Sequence, residues 1–291
     1  MEGKGRITGH TGLLALIGSP VGHSGSPAMY NYSFEKLGLD YAYVAFDIKV
    51  EEVKAALDAM RLFHMRGCNV TMPCKTEAAK YMDELSPAAQ IIGAVNTIVN
   101  DDGKLTGYIT DGEGFVNNLK DHGIDIKGRK ITVAGGGGAA TAIQVQCALD
   151  GAREITIFNK KDDFFERTLE TAEKIRKAVP ECVVNVYDID DVVKMTEEIN
   201  TSDIFANATI VGMKPLDDQS VVKDTSAFRP GLVVADAVYN PQETKLLREA
   251  KEAGCTCIGG KGMLLWQGVA AFKLYTGQDM PVDEVKELYF K

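Results

Sequence analysis

The sequence predicts an α/β protein of two domains, and three observations predict it. Short β-branched runs alternate with amphipathic stretches from end to end, which is how βα units on a mainly parallel sheet look in sequence. The 291 residues exceed a usual single domain, so two domains with a cleft between them are expected. The 45% hydrophobic and 25% charged fractions belong to an ordinary globular chain that can bury its core without staples.

In the first part, 13–17, 41–48 and 67–71 read as strands, separated by helical patterns at 27–37 and 50–63. Runs at 95–100 and 105–109 flank Asp101-Asp102-Gly103, whose turn chemistry suits a hairpin. A second series starts after Gly128, with a strand at 130–134, a glycine cluster, a helix to Leu149, a strand at 154–158 and a helix to Ala178. Strands near 183–187, 204–206 and 232–235 complete the order of a mononucleotide-binding fold. The last helical stretches, 263–276 and 282–290, have no strand after them and are expected to fold back over the first domain. Domains are therefore expected at 1–112 and 113–261, with 262–291 packing on the first.

The formal net charge of −9 argues against a nucleic-acid binder, which needs a basic stripe to displace counterions from phosphates. The six cysteines are scattered, and Cys255 and Cys257 form a C-x-C with no second pair to complete a metal knuckle. No metal site is expected, and the thiols read as reduced. The apolar stretch after the N-terminal residues is too short for a signal peptide or a membrane span, so a cytoplasmic protein without a membrane partner is expected.

Val133-Ala134-Gly135-Gly136-Gly137-Gly138-Ala139-Ala140 lies between an expected strand and an expected helix, the context that marks a dinucleotide site. Residues without side chains let the backbone approach a pyrophosphate, and the N–H groups opening the next helix stabilise its charge. The spacing departs from strict G-x-G-x-x-G, and a plain strand-to-helix turn is the alternative. After the second strand of this series an acid holds the ribose diol of NAD, whereas a cation pairs with the 2′-phosphate of NADP. Asn159-Lys160-Lys161-Asp162 offers both, with Asp162 at the ribose-acid position. Lysine is a point charge without arginine's planar fork, so it tolerates either ligand more readily than it selects phosphate. NAD is favoured, with NADP as the alternative.

Four segments of the first part carry polar side chains that packing does not require. Ser24 and Ser26, in His23-Ser24-Gly25-Ser26-Pro27, can point hydroxyls at a carboxylate near a helix start, or act as caps. Asn69-Val70-Thr71-Met72-Pro73-Cys74-Lys75 ends a strand with a proline that sets where Lys75 projects. Gly93-Ala94-Val95-Asn96-Thr97 and Thr110-Asp111-Gly112-Glu113-Gly114 add a strand-borne amide and a loop acid hemmed by glycines. Oxidising a secondary alcohol needs a base for the hydroxyl proton while hydride leaves for nicotinamide, and Lys75 is the candidate. A nearby Asp111 carboxylate favours the charged lysine and burial the neutral one, so the pair is expected to act as a unit.

These segments, with Asp236-Ala237-Val238-Tyr239-Asn240-Pro241 and Gly262-Met263-Leu264-Leu265-Trp266-Gln267, resemble the shikimate dehydrogenase family in order and across nearly the whole chain. The stretch 158–165 and the segments around Val211-Gly212-Met213-Lys214-Pro215 and Trp266 look most like its quinate/shikimate branch, whose members accept NAD as well as or instead of NADP. The N-R-T-x-x-R of NADP-specific members is absent. The resemblance implies a substrate-binding domain, a Rossmann-like NAD(P)-binding domain, and reversible oxidation of shikimate to 3-dehydroshikimate, quinate to 3-dehydroquinate, or both.

It also implies that Lys75 and Asp111 form the catalytic pair. By the same resemblance Ser24, Ser26 and Tyr239 hold the substrate carboxylate, and Thr71, Asn96 and Gln267 bond the ring hydroxyls. Cofactor contacts are implied at Gly136, Gly137, Gly138, Ala139, Asn159, Lys160, Lys161, Asp162, Ala237, Val238, Asn240 and Gly260. The partner expected is the small-molecule ring acid, and a homodimer is the assembly to test. Three positions depart from the family's pattern: Gly259-Gly260-Lys261-Gly262 stands where D-G-x-G is usual, Ile210 where a lysine can lie over the cofactor, and Cys74 where a larger residue is common. A dehydrogenase for an aminated or other polyhydroxy ring acid, and a ligand sensor without turnover, are the rival readings; a sensor could dispense with Lys75 and Asp111.

Overall fold

A computed structural model describes residues 7–162 and 165–290, so Asp163 and Phe164 of the charged run lie outside it, as do 1–6 and Lys291. The chain forms two compact units, Met1–Thr110 with Gly268–Lys291, and Asp111–Gln267. The first unit begins with β1 (Gly12–Gly18), α1 (Ser26–Leu37), β2 (Tyr41–Asp47), α2 (Val53–Leu62) and β3 (Gly67–Val70). It continues with α3 (Lys75–Ala79), β4 (Glu84–Leu85), α4 (Pro87–Ile92), β5 (Thr97–Asp101) and β6 (Lys104–Tyr108). The second holds α5 (Asp111–Asp121), β7 (Lys130–Ala134), α6 (Gly138–Leu149), β8 (Glu154–Asn159), α7 (Phe165–Ala178) and β9 (Val183–Asp188). It goes on through α8 (Val192–Thr201), β10 (Ile204–Asn207), β11 (Val233–Asp236), α9 (Lys245–Glu252) and β12 (Thr256–Ile258). Helix α10 (Lys261–Thr276) starts there and ends in the first unit, which α11 (Val282–Tyr289) completes.

The first sheet has the order β2-β1-β3-β5-β6-β4. Only β5 runs against the rest. β1 is buried along Leu14, Ala15, Leu16 and Ile17, the continuous apolar run expected of a central parallel strand covered on both faces. The β5–β6 hairpin pairs Asp101 with Lys104 across Asp102 (φ 51°) and Gly103 (φ 95°), the two left-handed residues that a tight hairpin of this twist requires. At the sheet's outer edge, the Asn31 carboxamide faces Tyr43 like a short strand: it accepts from Tyr43 N at 2.9 Å and donates to Tyr43 O at 2.7 Å.

The first unit's core is aromatic. Tyr30 stacks on Tyr43 at 4.5 Å between centroids, and Phe34 on Phe272 of α10 at 5.5 Å. Tyr30 also donates its hydroxyl to Gly268 O at 3.1 Å, and Tyr32 donates to Glu284 of α11 at 2.6 Å. Both terminal helices are thereby fastened to α1, burying apolar area while satisfying each phenol.

The second sheet is wholly parallel, in the order β12-β11-β10-β7-β8-β9. Counted from β7 this is the doubly wound order 3-2-1-4-5-6, whose direction of winding reverses between β7 and β10. The carboxyl ends of those two strands are where such sheets bind ligands.

The stretch 50–63 is divided, a 3-10 turn at Val50–Glu52 leading into α2. Asp111 does not lie in a loop: it is the first residue of α5. The glycines beside it serve close helix packing, because a Cβ on Gly112 would strike Ala142 O and one on Gly114 would strike Met263 O and Gln267 N. No helix among the described residues is long and apolar enough to cross a membrane.

Candidate active site

In the first unit, five of the expected site residues follow the carboxyl ends of β1 and β3 or lie on the approach to β5. Thr71 follows β3, with its N–H on Ile17 O at 2.9 Å and its carbonyl accepting from Cys74 N at 3.0 Å. That turn delivers Lys75 to the first position of α3, half-buried, and Val95 N bonds the Lys75 carbonyl at 3.1 Å. The backbone of Lys75 is therefore held from both sides, while Cys74 beneath it is buried, its thiol pushed up by burial and by the charges of Glu51 and Glu52. A thiol so placed is packing, not a nucleophile.

Asn96 is buried, and the bonds to its amide set its orientation. Its Oδ1 accepts from Thr110 N at 2.8 Å and from Thr97 Oγ1 at 3.0 Å, which makes the NH2 its donating end. Beneath it Asn69 donates to Thr97 Oγ1 at 3.0 Å and to Asn96 O at 3.2 Å, and accepts from Tyr43 OH at 2.8 Å. Sequence reasoning named Asn96 but missed Asn69, Thr97 and Thr110 as its supports. Polar residues inside an otherwise buried strand run were the available signal.

Ser26 opens α1 and Ser24 stands just before it, accepting from Ser26 N at 3.2 Å. The N-cap residue is Gly25, with no side-chain cap bond, so neither serine is the conventional cap.

In the second unit the glycine loop joins β7 to α6 at the switch point. Gly135 (φ 121°) has its N–H on Phe158 O at 2.7 Å, and a Cβ there would strike Ala208 O just past β10. Gln144, fully buried on α6, donates to Gly135 O at 2.9 Å. At Gly136 a Cβ would collide with Thr168 and Asn159, whereas at Gly137 and Gly138 it would meet nothing. Open space over bare backbone at a helix N-terminus fits a dinucleotide pyrophosphate. Ala139 follows as the second residue of α6.

Asn159 is the last residue of β8, and its amide donates to Thr168 Oγ1 at 2.9 Å, bracing Gly136. Lys160, Lys161 and Asp162 follow, all exposed. At the ends of β10 and β11 a buried hub orders two loops. Asp236 accepts from Asn207 Nδ2 at 2.9 Å, Val238 N at 3.0 Å and Thr244 Oγ1 at 2.6 Å, and Asn207 Oδ1 accepts from Thr209 Oγ1 at 2.7 Å. Burial pushes the Asp236 carboxyl above its ordinary value, against the opposing effect of those three bonds. Ala237, Val238, Tyr239 and Asn240 ride on this hub, with Tyr239 and Asn240 exposed. Gly260 presses on them: its Cβ would strike Ala237 O and Val238 O, so packing alone demands a glycine there.

Asp111 and Gln267 are the first and last residues of the second unit, and Gln267 donates to Leu264 O at 3.1 Å. Glu113, in the first turn of α5, is pushed up by burial and by the Asp150 carboxylate. Among the described residues no group of three or more acids, histidines and cysteines is placed to hold a metal ion.

Two family models match the chain, one described as the shikimate dehydrogenase substrate binding domain over residues 16–98, the other as the shikimate 5′-dehydrogenase C-terminal domain over 260–288. A curated relative from Listeria monocytogenes serotype 4b (strain F2365), shikimate dehydrogenase (NADP(+)), is 51% identical over 285 residues, covering 98% of either chain. The crystal structure of shikimate 5-dehydrogenase from Listeria monocytogenes in complex with shikimate and NAD matches at a TM-score of 0.95 and 51% identity, again over 98% of each chain. Quinate dehydrogenase from Corynebacterium glutamicum in complex with NAD matches at a TM-score of 0.85 and 29% identity, over 96% of this chain and 99% of that one. A doubly wound unit with a glycine cradle, joined to a second α/β unit that carries its own polar strand ends, defines an NAD(P)-dependent oxidoreductase. Identity spread over almost the full length places it further. The chain belongs to the shikimate dehydrogenase family.

Proposed function

We propose that this enzyme interconverts shikimate and 3-dehydroshikimate, with quinate and 3-dehydroquinate as a second substrate pair, and favours NAD over NADP. The observation that carries the substrate reading is the match, over 98% of each chain at a TM-score of 0.95, to the Listeria enzyme crystallised with shikimate and NAD. The quinate dehydrogenase match at 0.85 supports the second pair.

In this reading 1–112 is the substrate-binding part, 113–261 the dinucleotide-binding part, and 262–291 packs with the former. The nicotinamide cofactor supplies a hydride acceptor or donor. Lys75 takes the hydroxyl proton on oxidation and returns it on reduction, and Asp111 is the carboxylate that acts with it. The Asn96 NH2, the donating end of an amide whose oxygen is already bonded, donates to a ring hydroxyl, as Thr71 and Gln267 do. Ser24, Ser26 and Tyr239 hold the substrate carboxylate. Gly136 to Ala139, Asn159 to Asp162, Ala237, Val238, Asn240 and Gly260 line the cofactor.

Two features support NAD. Asp162 stands where a ribose-diol acid belongs, and the cations beside it are lysines, which lack the fork that grips a 2′-phosphate. The curated Listeria relative is a shikimate dehydrogenase (NADP(+)), whereas the Listeria crystal holds NAD, and direct measurement decides the preference here. The six cysteines are free, which suits a reducing, cytoplasmic setting.

The test is steady-state kinetics with shikimate and quinate, each with NAD and NADP, on the wild type and on Lys75→Ala. The wild type turns over with NAD the better cofactor, and Lys75→Ala lowers kcat by about a hundred-fold or more with a much smaller change in KM. No change in nicotinamide absorbance with either acid and either cofactor would remove the assignment.

A further inference from the structure

We infer that Asp188, at the end of β9, is a specificity-determining residue for the cofactor: its carboxylate occupies Lys161 and opposes a 2′-phosphate arriving at the ribose position. The inference rests on the NAD reading above and names what enforces it. β8 and β9 are parallel neighbours whose last paired residues are Asn159 and Asp188, and Ile189 N bonds Asn159 O at 2.9 Å. Asp188 therefore stands beside the end of the second strand of the doubly wound sheet, where such folds meet the adenosine ribose.

Lys161, two residues past Asn159, is drawn to that acid. Its Nζ lies 3.7 Å from Asp188 Oδ2 and 5.9 Å from the centre of the Phe165 ring. The two partners are unequal. The lysine side chain is 64% exposed and the aspartate side chain 26%. Asp188 is also braced by its own turn, where Oδ1 accepts from Asp190 N at 3.1 Å and the backbone carbonyl from Asp191 N. A braced acid thus holds a flexible cation.

So exposed a pair contributes little to stability, but it decides what a ligand meets. A 2′-phosphate must take Lys161 from Asp188 and then lie within a few ångströms of the carboxylate left behind. Asp190 and Asp191, both exposed and within three residues of Asp188 in the chain, add to the negative charge of this turn. The neutral ribose diol of NAD escapes this conflict. Charge repulsion against one cofactor and neutrality toward the other is a specificity device that needs no arginine fork.

Asp188→Asn removes only the charge, since the amide oxygen can still accept from Asp190 N; Asp188→Ser, which also keeps an acceptor, is the second variant. The measurements are kcat/KM with NAD and NADP, and NADH and NADPH binding followed by nicotinamide fluorescence, at low and high salt, with and without Lys161→Met. The expected result is a rise of about five-fold in the NADP to NAD ratio at low ionic strength, shrinking at high salt. The rise is smaller when Lys161 is already Met. An unchanged ratio at low salt in both variants, or a change indifferent to salt, overturns the role of Asp188 and leaves the NAD reading standing. A wild type that favours NADP overturns the NAD reading instead, and the variant ratios still report on Asp188.

Discussion

The four consecutive glycines of the β7–α6 loop do different jobs, and single methyl groups separate them. Gly136 faces the bonded pair Asn159 and Thr168, so a methyl there must push apart two side chains that are themselves tied. Gly136→Ala is expected to cost about 1–3 kcal/mol in denaturant unfolding, the usual range for overpacking, and to weaken NADH binding as the loop shifts. Gly137→Ala meets nothing in the protein, so it keeps its stability and loses affinity for the dinucleotide alone. Equal stability losses in the two variants would refute the distinction. Asn96 shows how far a single residue can be read: an amide expected on a strand lies one residue before β5, and its orientation left no trace in the sequence. The bonds that orient it come from Thr97 next door and from Thr110, fourteen positions along the chain, and its support Asn69 lies further off still. Such pairings leave no local pattern.

Strand β7 begins with a charged residue that is buried, and the elements around it supply the reason. Lys130 Nζ reaches Glu198 of α8 at 2.7 Å, Glu154 of β8 at 3.1 Å and Thr201 at 2.9 Å, while Lys194 bonds the other Glu198 oxygen at 2.6 Å. Burial pushes the Glu198 carboxyl up, yet the bonds and charges of Lys130 and Lys194 outweigh it and hold the group below its ordinary value. A carboxylate lowered in the folded state stabilises above the unfolded-state value, about 4.3, and loses that contribution as pH falls through the folded one. Glu198→Gln is therefore expected to destabilise by about 2–3 kcal/mol near neutral pH, by leaving the buried lysine with Glu154 as its one carboxylate. The gap from wild type narrows as urea unfolding is repeated toward about pH 3. A constant gap would show that shape, not charge, is lost. Most of the parallel strands were readable within a residue or two from their continuous apolar runs, but the three-residue β12 was missed. β4 and α4 were not, since two and six residues carry too little of any period. Asp111 was misread as a loop acid for a different reason: its glycines signal turns locally, and only the packing partners at Ala142, Met263 and Gln267 show that they permit helix contacts.

Across the whole molecule, the first unit is completed by the last residues of the chain. Phe272 and Tyr275 are fully buried among Tyr30, Phe34 and Tyr43, and the Arg66 guanidinium donates to Tyr275 O at 2.7 Å. Phe272→Ala is expected to lower stability by about 3–5 kcal/mol, the range for removing a buried ring, measured by urea unfolding. A loss under 1 kcal/mol would mean the ring is dispensable to that core. Which aromatic meets which left no pattern in the sequence, because the partners lie far apart along the chain. The Asn31 carboxamide at β2 has a consequence of another kind. β2 is an edge strand, and it shows solvent two apolar side chains, Val44 and Phe46, just beyond the capped position. A bare edge of this composition is a template on which a stray extended chain can add by main-chain bonding. By filling the donor and acceptor of Tyr43 from within its own chain, Asn31 ends the sheet there, so one amide on α1 guards the protein against fibre-like self-association while taking no part in its chemistry.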